Sequence, residues 1–336
     1  MYSGLLSCLG GKRRLASLIV YHAQGPVFAD AFMGGGSVSL YAKAAGFHVL
    51  ANDLSLRSGA TGHGIIENPG DILVDESDFA VLFEENSQAG DFWQKKADEG
   101  RVLRPIARLV DLAAANVRKI QSPTRRYLLQ HCALKVMQET AGFSTTTKKA
   151  SIKAVNKGDK KFPQSDVYLR AMKAASRPVQ TFTTTALEVN HSVFGNGHNN
   201  TYYSMDALEF VKRSAAWHGA KQGTLYLDPP YPGVKIYSDE YAEFEEFLGG
   251  KPLEGDLQYS KGPEAILEVV QAADHFPTIL MSYGGKTAPS TFLKKVQEIR
   301  PKACLVKIPP QRHCRHTKRK NDPGYVANEM LIHAPR

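Results

Sequence analysis

The amino-acid sequence predicts an α/β fold, a Rossmann-like sheet whose two halves are separated by an inserted, largely helical domain. Residues 26–53 read as strand, glycine loop, helix and strand, which is the usual start of a parallel sheet. Apolar runs and helical segments alternate again from about residue 186. Residues 57–185 lack this alternation. We therefore expect one sheet domain from residues 1–56 and 186–336, with an inserted domain over residues 57–185.

The first half of the sheet has short elements with clear boundaries. Gly46 follows a helical segment at the position that favours a C-terminal cap, and Asn52-Asp53 ends the next apolar run. The pattern predicts a strand over 27–29, a glycine turn over 34–36, a helix over 37–45 and a strand over 47–51.

The middle segment has helical composition around 101–119 and 123–140. Residues 142–163 are rich in lysine and threonine, and we expect a loop there. The second half of the sheet is predicted from periodicity and turn residues. Its expected strands cover 202–205, 224–227, 278–282, 303–308 and 327–333, and its expected helices cover 206–218, 263–275 and 289–298.

The charge of the chain favours an anionic partner. Its 336 residues include 42 Lys and Arg against 33 Asp and Glu, a formal charge of +9. Basic residues concentrate in 145–177 and 311–320, which is typical of nucleic-acid binding. The residues expected to contact DNA phosphates are Lys148, Lys149, Lys153, Lys157, Arg312, Arg315, Lys318 and Arg319.

The sequence also indicates the cellular compartment of the protein. No apolar run approaches the length of a membrane span, and the amino terminus lacks the charge order of a secretory signal. The four cysteines have no CxxC spacing, so we expect reduced thiols in a cytoplasmic protein. His313, Cys314 and His316 lie close together without a second ligand pair, so no metal site is expected.

The glycine loop predicts a ligand of the adenosine type. Glycines between a strand and a helix let a ligand approach the backbone and the helix N-terminus. Asp53 lies 19 residues after Gly34, a spacing that suits the hydroxyls of a ribose. The pattern fits both NAD and S-adenosylmethionine. Ser39 stands where a dinucleotide loop usually has its third glycine, which disfavours NAD.

The stretch Asp228-Pro229-Pro230-Tyr231 ends an apolar strand, at the sheet edge where α/β proteins bind ligands. The prolines fix the backbone and leave their carbonyls as acceptors. A carboxylate, a carbonyl and the ring of Tyr231 together suit a planar group with an NH₂, such as adenine. Asp228 can take a proton from that amine, and a base in a duplex has to be flipped out to reach it.

With these motifs in place, the chain resembles the Dam-like (alpha-group) adenine-specific DNA methyltransferases. The resemblance covers both ends of the chain in the family order. It is carried by Gly10-Gly11-Lys12, Asp30 to Ser37, Asn52-Asp53, Tyr203 to Asp206, Asp228 to Tyr231, Ser282-Tyr283 and Asn328 to Ile332. Cys8 stands where the family often has an aromatic residue, and Ala31 where it has proline.

The resemblance implies a site-specific enzyme that methylates the 6-amino group of adenine in DNA. It implies S-adenosylmethionine as methyl donor, held by Cys8, Lys12, Asp30, Phe32, Gly34, Asp53 and Asp206. It implies Asp228, Pro229, Pro230 and Tyr231 as the catalytic residues. Residues 57–185 would then recognise the target. We expect a monomer on double-stranded DNA, and a cognate restriction enzyme is a further partner that the family allows.

Three other functions compete with this one. The same fold could methylate RNA or a cytosine amine, although cytosine-amine enzymes of this fold usually have Ser at the position of Asp228. The chain could be a catalytically silent DNA-binding subunit, because fold alone does not prove activity. An NAD-dependent oxidoreductase is disfavoured by the glycine loop and by the Asp228 motif.

Overall fold

The structure of the chain is a computed structural model that describes residues 2–7, 11–140, 146–159, 161–231, 237–249, 259, 262–284, 289–308 and 329–336. For residues 146–148, 237–241 and 289 it describes the backbone alone. The chain divides into two compact units. The first comprises Met1–Ser7 and His63–Gly195, and the second comprises Cys8–Gly62 and Asn196–Arg336.

Within the described residues, the second unit contains one mixed sheet of seven strands. The strands are β1 (Val27–Asp30), β2 (His48–Asn52), β3 (Thr201–Tyr203), β4 (Thr224–Leu227), β5 (Thr278–Tyr283), β6 (Cys304–Val306) and β7 (Met330–Pro335). Their order is β3-β2-β1-β4-β5-β7-β6. The first five of these strands in chain order, up to β5, are parallel, and β7 is antiparallel to both β5 and β6.

The strand order confirms the predicted α/β class with a Rossmann-like sheet. The chain runs from β1 to β2 and β3 on one side, and later from β4 to β5 on the other. The strand order therefore reverses between β1 and β4. In open α/β sheets, ligands bind outside the carboxyl ends of the strands at such a point. Dinucleotide-binding sheets are typically parallel throughout, whereas here the antiparallel β7 lies between β5 and β6.

Helices cover the sheet. The helices of the second unit are α1 (Ala16–Tyr21), α2 (Ser37–Ala44), α3 (Leu56–Thr61), α11 (Ala207–Ser214), α12 (Tyr237–Phe247), α13 (Glu264–Ala272) and α14 (Pro289–Ile299). One core combines the apolar faces of β1, β4 and β5 with Phe210, Ile266, Val269 and Phe292 from α11, α13 and α14. Because the central strands are buried along their length, their near-continuous apolar sequence is the expected consequence.

The first unit is helical in the part of the chain that the structure describes. Its helices are α4 (Glu76–Leu82), α5 (Phe92–Asp98), α6 (Arg104–Asn116), α7 (Pro123–Thr140), α8 (Thr146–Asn156), α9 (Asp166–Ser176) and α10 (Pro178–Val189). Trp93 is fully buried in this unit, and its backbone N–H donates to Asp111 Oδ1 over 3.0 Å. No described helix is long and apolar enough to cross a membrane.

The prediction of a loop over 142–163 is wrong for most of the described residues in that range, because α8 occupies residues 146–156. Ile152 and Ala154 are buried within the first unit. Asn156 then anchors the end of the helix, because its Nδ2 donates to the carbonyl oxygens of Ala97 and Val102 over 3.0 and 2.8 Å. Tertiary packing has overridden a composition that resembles a loop.

Other elements differ from expectation by a few residues. The helix expected over 206–218 ends at Ser214, and the last two strands are Cys304–Val306 and Met330–Pro335. Boundaries of this kind are the least certain part of any assignment from sequence, because helix and strand ends fray.

One buried amide joins the carboxyl ends of three neighbouring strands. Asn52, at the end of β2, is 1% exposed. Its Nδ2 donates to the carbonyl oxygens of Ala31 and Met205 over 3.1 and 3.0 Å, and its Oδ1 accepts from the backbone N–H of Met205 over 3.2 Å. This side chain therefore holds together the edge at which Asp30, Asp53 and Asp206 lie.

We predict that Asn52→Ala lowers the free energy of unfolding by about 2–3 kcal/mol, because it removes the hydrogen bonds of one buried and two half-buried backbone groups. Urea denaturation followed by circular dichroism measures the change. Asn199→Ala is the matched control, because Asn199 is exposed, and it should be neutral. Equal stability of the two variants would contradict the role given to Asn52.

Candidate functional site

The glycine loop connects β1 to α2 and ends in left-handed backbone. Gly36 is the N-cap of α2 with φ of 76°, and Gly34 has φ of 53°, so both positions favour glycine. The backbone N–H of Gly34 donates to Asp53 Oδ2 over 2.7 Å. The other carboxylate oxygen of Asp53 accepts from the backbone N–H of Ser55 over 2.9 Å. Carboxylate oxygens accept more than one hydrogen bond each, so Asp53 can also accept from a ligand.

Asp30 ends β1 beside this loop and is 1% exposed. The hydroxyl of Ser39 donates to Asp30 Oδ2 over 2.6 Å, whereas Asp30 Oδ1 has no hydrogen-bond partner among the described residues. Burial raises the pKa of Asp30 to about 7, against the lowering effect of Ser39. Ser39 thus has a defined role at the position where a dinucleotide loop would have glycine.

Asp206 and Phe32 are joined by a residue that the sequence did not single out. Asp206 caps α11 by accepting from the backbone N–H of Leu208 over 2.9 Å. The hydroxyl of Tyr259 donates to Asp206 Oδ2 over 3.1 Å. The ring of Tyr259 lies edge-on to Phe32 with 5.1 Å between centroids. Tyr259 lies in no regular motif, so no sequence signal pointed to it.

The second cluster lies at the end of β4. Lys12 Nζ is 2.9 Å from Asp228 Oδ1 and 3.0 Å from Glu329 Oε1. The Tyr231 hydroxyl lies 3.2 Å from Asp228 Oδ1 and 3.1 Å from Glu329 Oε1 and can donate to either. The structure therefore brings together Lys12, which the family resemblance assigned to the donor, and the Asp228 motif.

The cluster shifts the proton affinity of its members. Burial raises the pKa of Asp228 to about 6, Lys12 opposes that shift, and Glu329 adds to it. Burial alone would lower the pKa of Lys12, but attraction to Asp228 and Glu329 outweighs burial, so the Lys12 pKa is raised above its ordinary value. Lys12 is thus a cation, and Asp228 is largely ionised at neutral pH.

Tyr231 is buried in this structure. It is 7% exposed, its ring centroid lies 5.1 Å from Lys12 Nζ, and it is 6.0 Å from the ring of Tyr283. A Cβ at Gly284 would lie 2.8 Å from the Tyr231 ring, so only glycine gives this ring its place. Pro229 is buried and Pro230 is half-buried beside it.

Glu329 is the other residue that the sequence analysis missed. It directly precedes β7, which pairs with β5, and its side chain is 5% exposed. The signal that could have found it is its position beside the final strand, within the stretch Asn328 to Ile332 that was matched to the family. Local sequence patterns do not reveal its partners, because 98 residues separate it from Tyr231.

The residues expected to bind DNA are only partly described. Lys149, Lys153 and Lys157 are exposed on and just after α8, and their spacing of four places them along one face. Lys148 lies in α8, but its side chain is outside the described part. The predicted residues Cys8, Arg312, Arg315, Lys318 and Arg319 lie outside the described residues, as do His313, Cys314 and His316.

Two comparisons with known proteins bear on this site. The model of the D12 class N6 adenine-specific DNA methyltransferase family matches residues 9–193. The type II methyltransferase M2.HphI of Haemophilus parahaemolyticus is 24% identical to the chain over 290 residues, which is 84% of this chain and 83% of that protein.

We predict that Asp30→Asn stabilises the ligand-free protein at alkaline pH. The folded state holds the Asp30 proton up to a pKa of about 7, whereas an unperturbed aspartate has 3.8. The free energy of unfolding therefore falls as pH rises through that window and stays lower above it. The neutral amide removes this penalty, so near pH 8 the variant should gain up to about 4 kcal/mol, at about 1.4 kcal/mol for each pKa unit.

Chemical denaturation at several pH values checks this prediction. The gain should shrink as pH falls from about 7 and should vanish below about pH 3, where the wild-type carboxyl is protonated in both states. Asp71→Asn, at an exposed aspartate, should show no such pH-dependent difference. A variant that is destabilised equally at every pH would refute the assignment of a buried, costly charge to Asp30.

Proposed function

Since the chain belongs to the D12 class of N6 adenine-specific DNA methyltransferases, we propose that it methylates the 6-amino group of adenine within a specific DNA sequence. The acceptor base is flipped out of the duplex and bound at Asp228 to Tyr231. Members of this family transfer a methyl group to adenine in DNA, and their methyl donor is S-adenosylmethionine. We propose in addition the roles of individual residues, the flipped base and the sequence specificity.

The observation that carries the proposal is the adjacency of β1 and β4. Asp30 ends β1, Asp228 follows β4, and these parallel strands are hydrogen-bonded neighbours. The glycine loop and the Asp228 motif consequently share the edge where the sheet changes direction. Two reactants bound at this edge would be held side by side, which is the requirement of a direct transfer between them.

The residues around the glycine loop fit S-adenosylmethionine. The Asp53 carboxylate would accept from the ribose hydroxyls, and Asp206 with Phe32 would hold the adenine. The partnerless buried oxygen Asp30 Oδ1 suits a cationic ligand, and this donor carries a sulfonium and an ammonium group. Gly34 would allow the backbone to approach the donor, and Cys8 and Lys12 remain predicted donor contacts.

When bound, the donor supplies a methyl group whose carbon–sulfur bond breaks as the nitrogen–carbon bond forms, the electron pair remaining on sulfur. The amine of adenine is a weak nucleophile because its lone pair is delocalised into the ring. Asp228 and a proline carbonyl accept its two hydrogens and favour a pyramidal nitrogen. The nitrogen must lose one proton for each methyl gained, and Asp228 accepts it.

The acidity of Asp228 is suited to this role. With a pKa of about 6, the carboxylate is mostly ionised at neutral pH and is a stronger base than an exposed aspartate. The hydrogen bonds described for Asp228 fall on Oδ1. Oδ2 is the oxygen that we propose accepts from the amine.

We predict that Asp228→Asn abolishes methylation while donor binding is retained, because the amide can neither accept the proton nor carry its charge. The chain is expressed in a host without adenine methylation, and the genomic DNA is sequenced by a modification-sensitive method. Wild-type protein should leave methyladenine in one short motif. Calorimetry with S-adenosylmethionine measures donor binding.

Asp274→Asn is the matched control, an exposed carboxylate of the same unit, and it should methylate as wild type does. Methylation by Asp228→Asn would remove Asp228 from the proposed chemistry. Donor binding without methylation by the wild type would instead favour RNA, a cytosine amine or a silent DNA-binding subunit as the alternative.

DNA binding is proposed for the exposed lysines of α8. Lys149, Lys153 and Lys157 would neutralise phosphates and so set affinity rather than sequence preference. Arg312, Arg315, Lys318 and Arg319 lie outside the described residues, and the same proposal extends to them from their sequence. We further propose a monomer on double-stranded DNA, and the name of the type II relative makes a restriction enzyme a candidate partner.

We predict that the double variant Lys149→Gln and Lys157→Gln weakens DNA binding and reduces its salt dependence. Each lost phosphate contact should reduce the slope of log K against log salt concentration by about 0.9, hence about 1.8 for both. Fluorescence anisotropy over a salt series measures the slope. Lys294→Gln with Lys302→Gln, two exposed lysines of the other unit, is the control, and equal slopes for both pairs would contradict the proposal.

A further inference from the structure

We propose that Glu329 is a positioning residue for the transfer, which shares the Lys12 ammonium with Asp228 and thereby keeps Asp228 able to accept the proton of the amine. This inference rests on the proposed function of the Asp228 site. It assigns a role to a residue at the start of the final strand, far in sequence from the catalytic motif.

The geometry of the cluster carries the inference. Lys12 Nζ is almost equidistant from the two carboxylates, 2.9 Å from Asp228 Oδ1 and 3.0 Å from Glu329 Oε1. The Tyr231 hydroxyl repeats this arrangement with distances of 3.2 and 3.1 Å. Lys12 and Glu329 are 4% and 5% exposed, whereas Asp228 is 20% exposed. The same two donors thus face both acids, and Asp228 is the acid that remains accessible.

An ion pair that only stabilised the fold would need one carboxylate beside Lys12, whereas this cluster has two. If Lys12 had Asp228 as its single partner, the full attraction of a buried ammonium would stabilise the ionised carboxylate and make it a weak base. Glu329 divides that attraction and adds a negative charge of its own. A proton acceptor works best when its pKa lies near the working pH, so Glu329 adjusts Asp228 towards that value.

Other ionisable groups also affect the pKa of Asp228. Burial, Lys12, Glu329 and Tyr231 determine the Asp228 pKa of about 6. Charge on Asp228 in turn raises the pKa values of Asp30 and Tyr226, after the larger effect of burial on each. The remaining neighbours are unchanged in a Glu329 variant, so the effect of that variant on Asp228 can be isolated.

Glu329→Gln is the decisive variant, because the amide keeps an oxygen for Lys12 and Tyr231 but loses the charge. Lys12 then acts more fully on Asp228, and the Asp228 pKa falls. We predict that the acidic limb of the single-turnover rate moves to lower pH by at least about half a unit. The plateau rate should fall roughly threefold to tenfold, because the carboxylate has become a weaker base.

The measurement uses the full chain, saturating S-adenosylmethionine and an unmethylated DNA duplex that contains the target motif. The affinity for S-adenosylmethionine should stay unchanged in Glu329→Gln. Glu298→Gln is the control, because Glu298 is an exposed carboxylate on α14, and its profile should match that of the wild type. A loss of rate that is equal at every pH, with an unmoved acidic limb, would show a structural role and overturn the inference.

A second readout does not depend on turnover. Carbon-13 NMR of the Asp228 carboxyl, identified by its absence in Asp228→Asn, gives its midpoint in the ligand-free protein. The midpoint should be lower in Glu329→Gln than in the wild type, and an equal or higher midpoint would overturn the inference. If the wild type does not methylate DNA at all, the proposed function fails, and the NMR comparison still decides whether Glu329 controls Asp228.

Discussion

The buried ammonium of Lys12 is the interaction on which the proposed catalytic site depends. A lysine that is 4% exposed is stable as a cation only if carboxylates compensate its desolvation. Asp228 and Glu329 do so from two places, the end of β4 and the start of β7, which lie on either side of β5. Because this one buried ammonium pairs with carboxylates from two elements, the segment around Lys12, the Asp228 motif and the start of the final strand are held in one arrangement.

The same edge of the sheet carries a cost in stability. Asp30 and Asp228 both have raised pKa values, chiefly because burial disfavours their ionised forms. A protein selected for stability alone would avoid such groups. A cationic donor and a positively charged amine during transfer would, however, offset the cost while they are bound.

The sequence predicted the sheet well because its central strands β1, β4 and β5 are buried and short. Asp30 and Asp228 could be placed at strand ends for the same reason. The helix α8 was missed, since Ile152 and Asn156 stabilise it through contacts that no local pattern encodes. Glu329 was missed as well, because its importance comes from partners 98 or more residues away. Ser39 was weighed only as an absent glycine, although its hydroxyl binds Asp30.

Packing constrains the Asp228 motif independently of charge. The end of β5 supplies Tyr283, whose ring stacks on Phe292 with 3.7 Å between centroids, followed by Gly284, where any side chain would collide with the ring of Tyr231. Asp228 and Glu329 lie within hydrogen-bond distance of the Tyr231 hydroxyl, and β5 limits the position of its ring. A motif fixed from both directions is preorganised, so its geometry does not have to be created when the reactants bind. Preorganisation of this kind explains why the residues that matter most around Asp228 come from strands and segments remote from it in sequence.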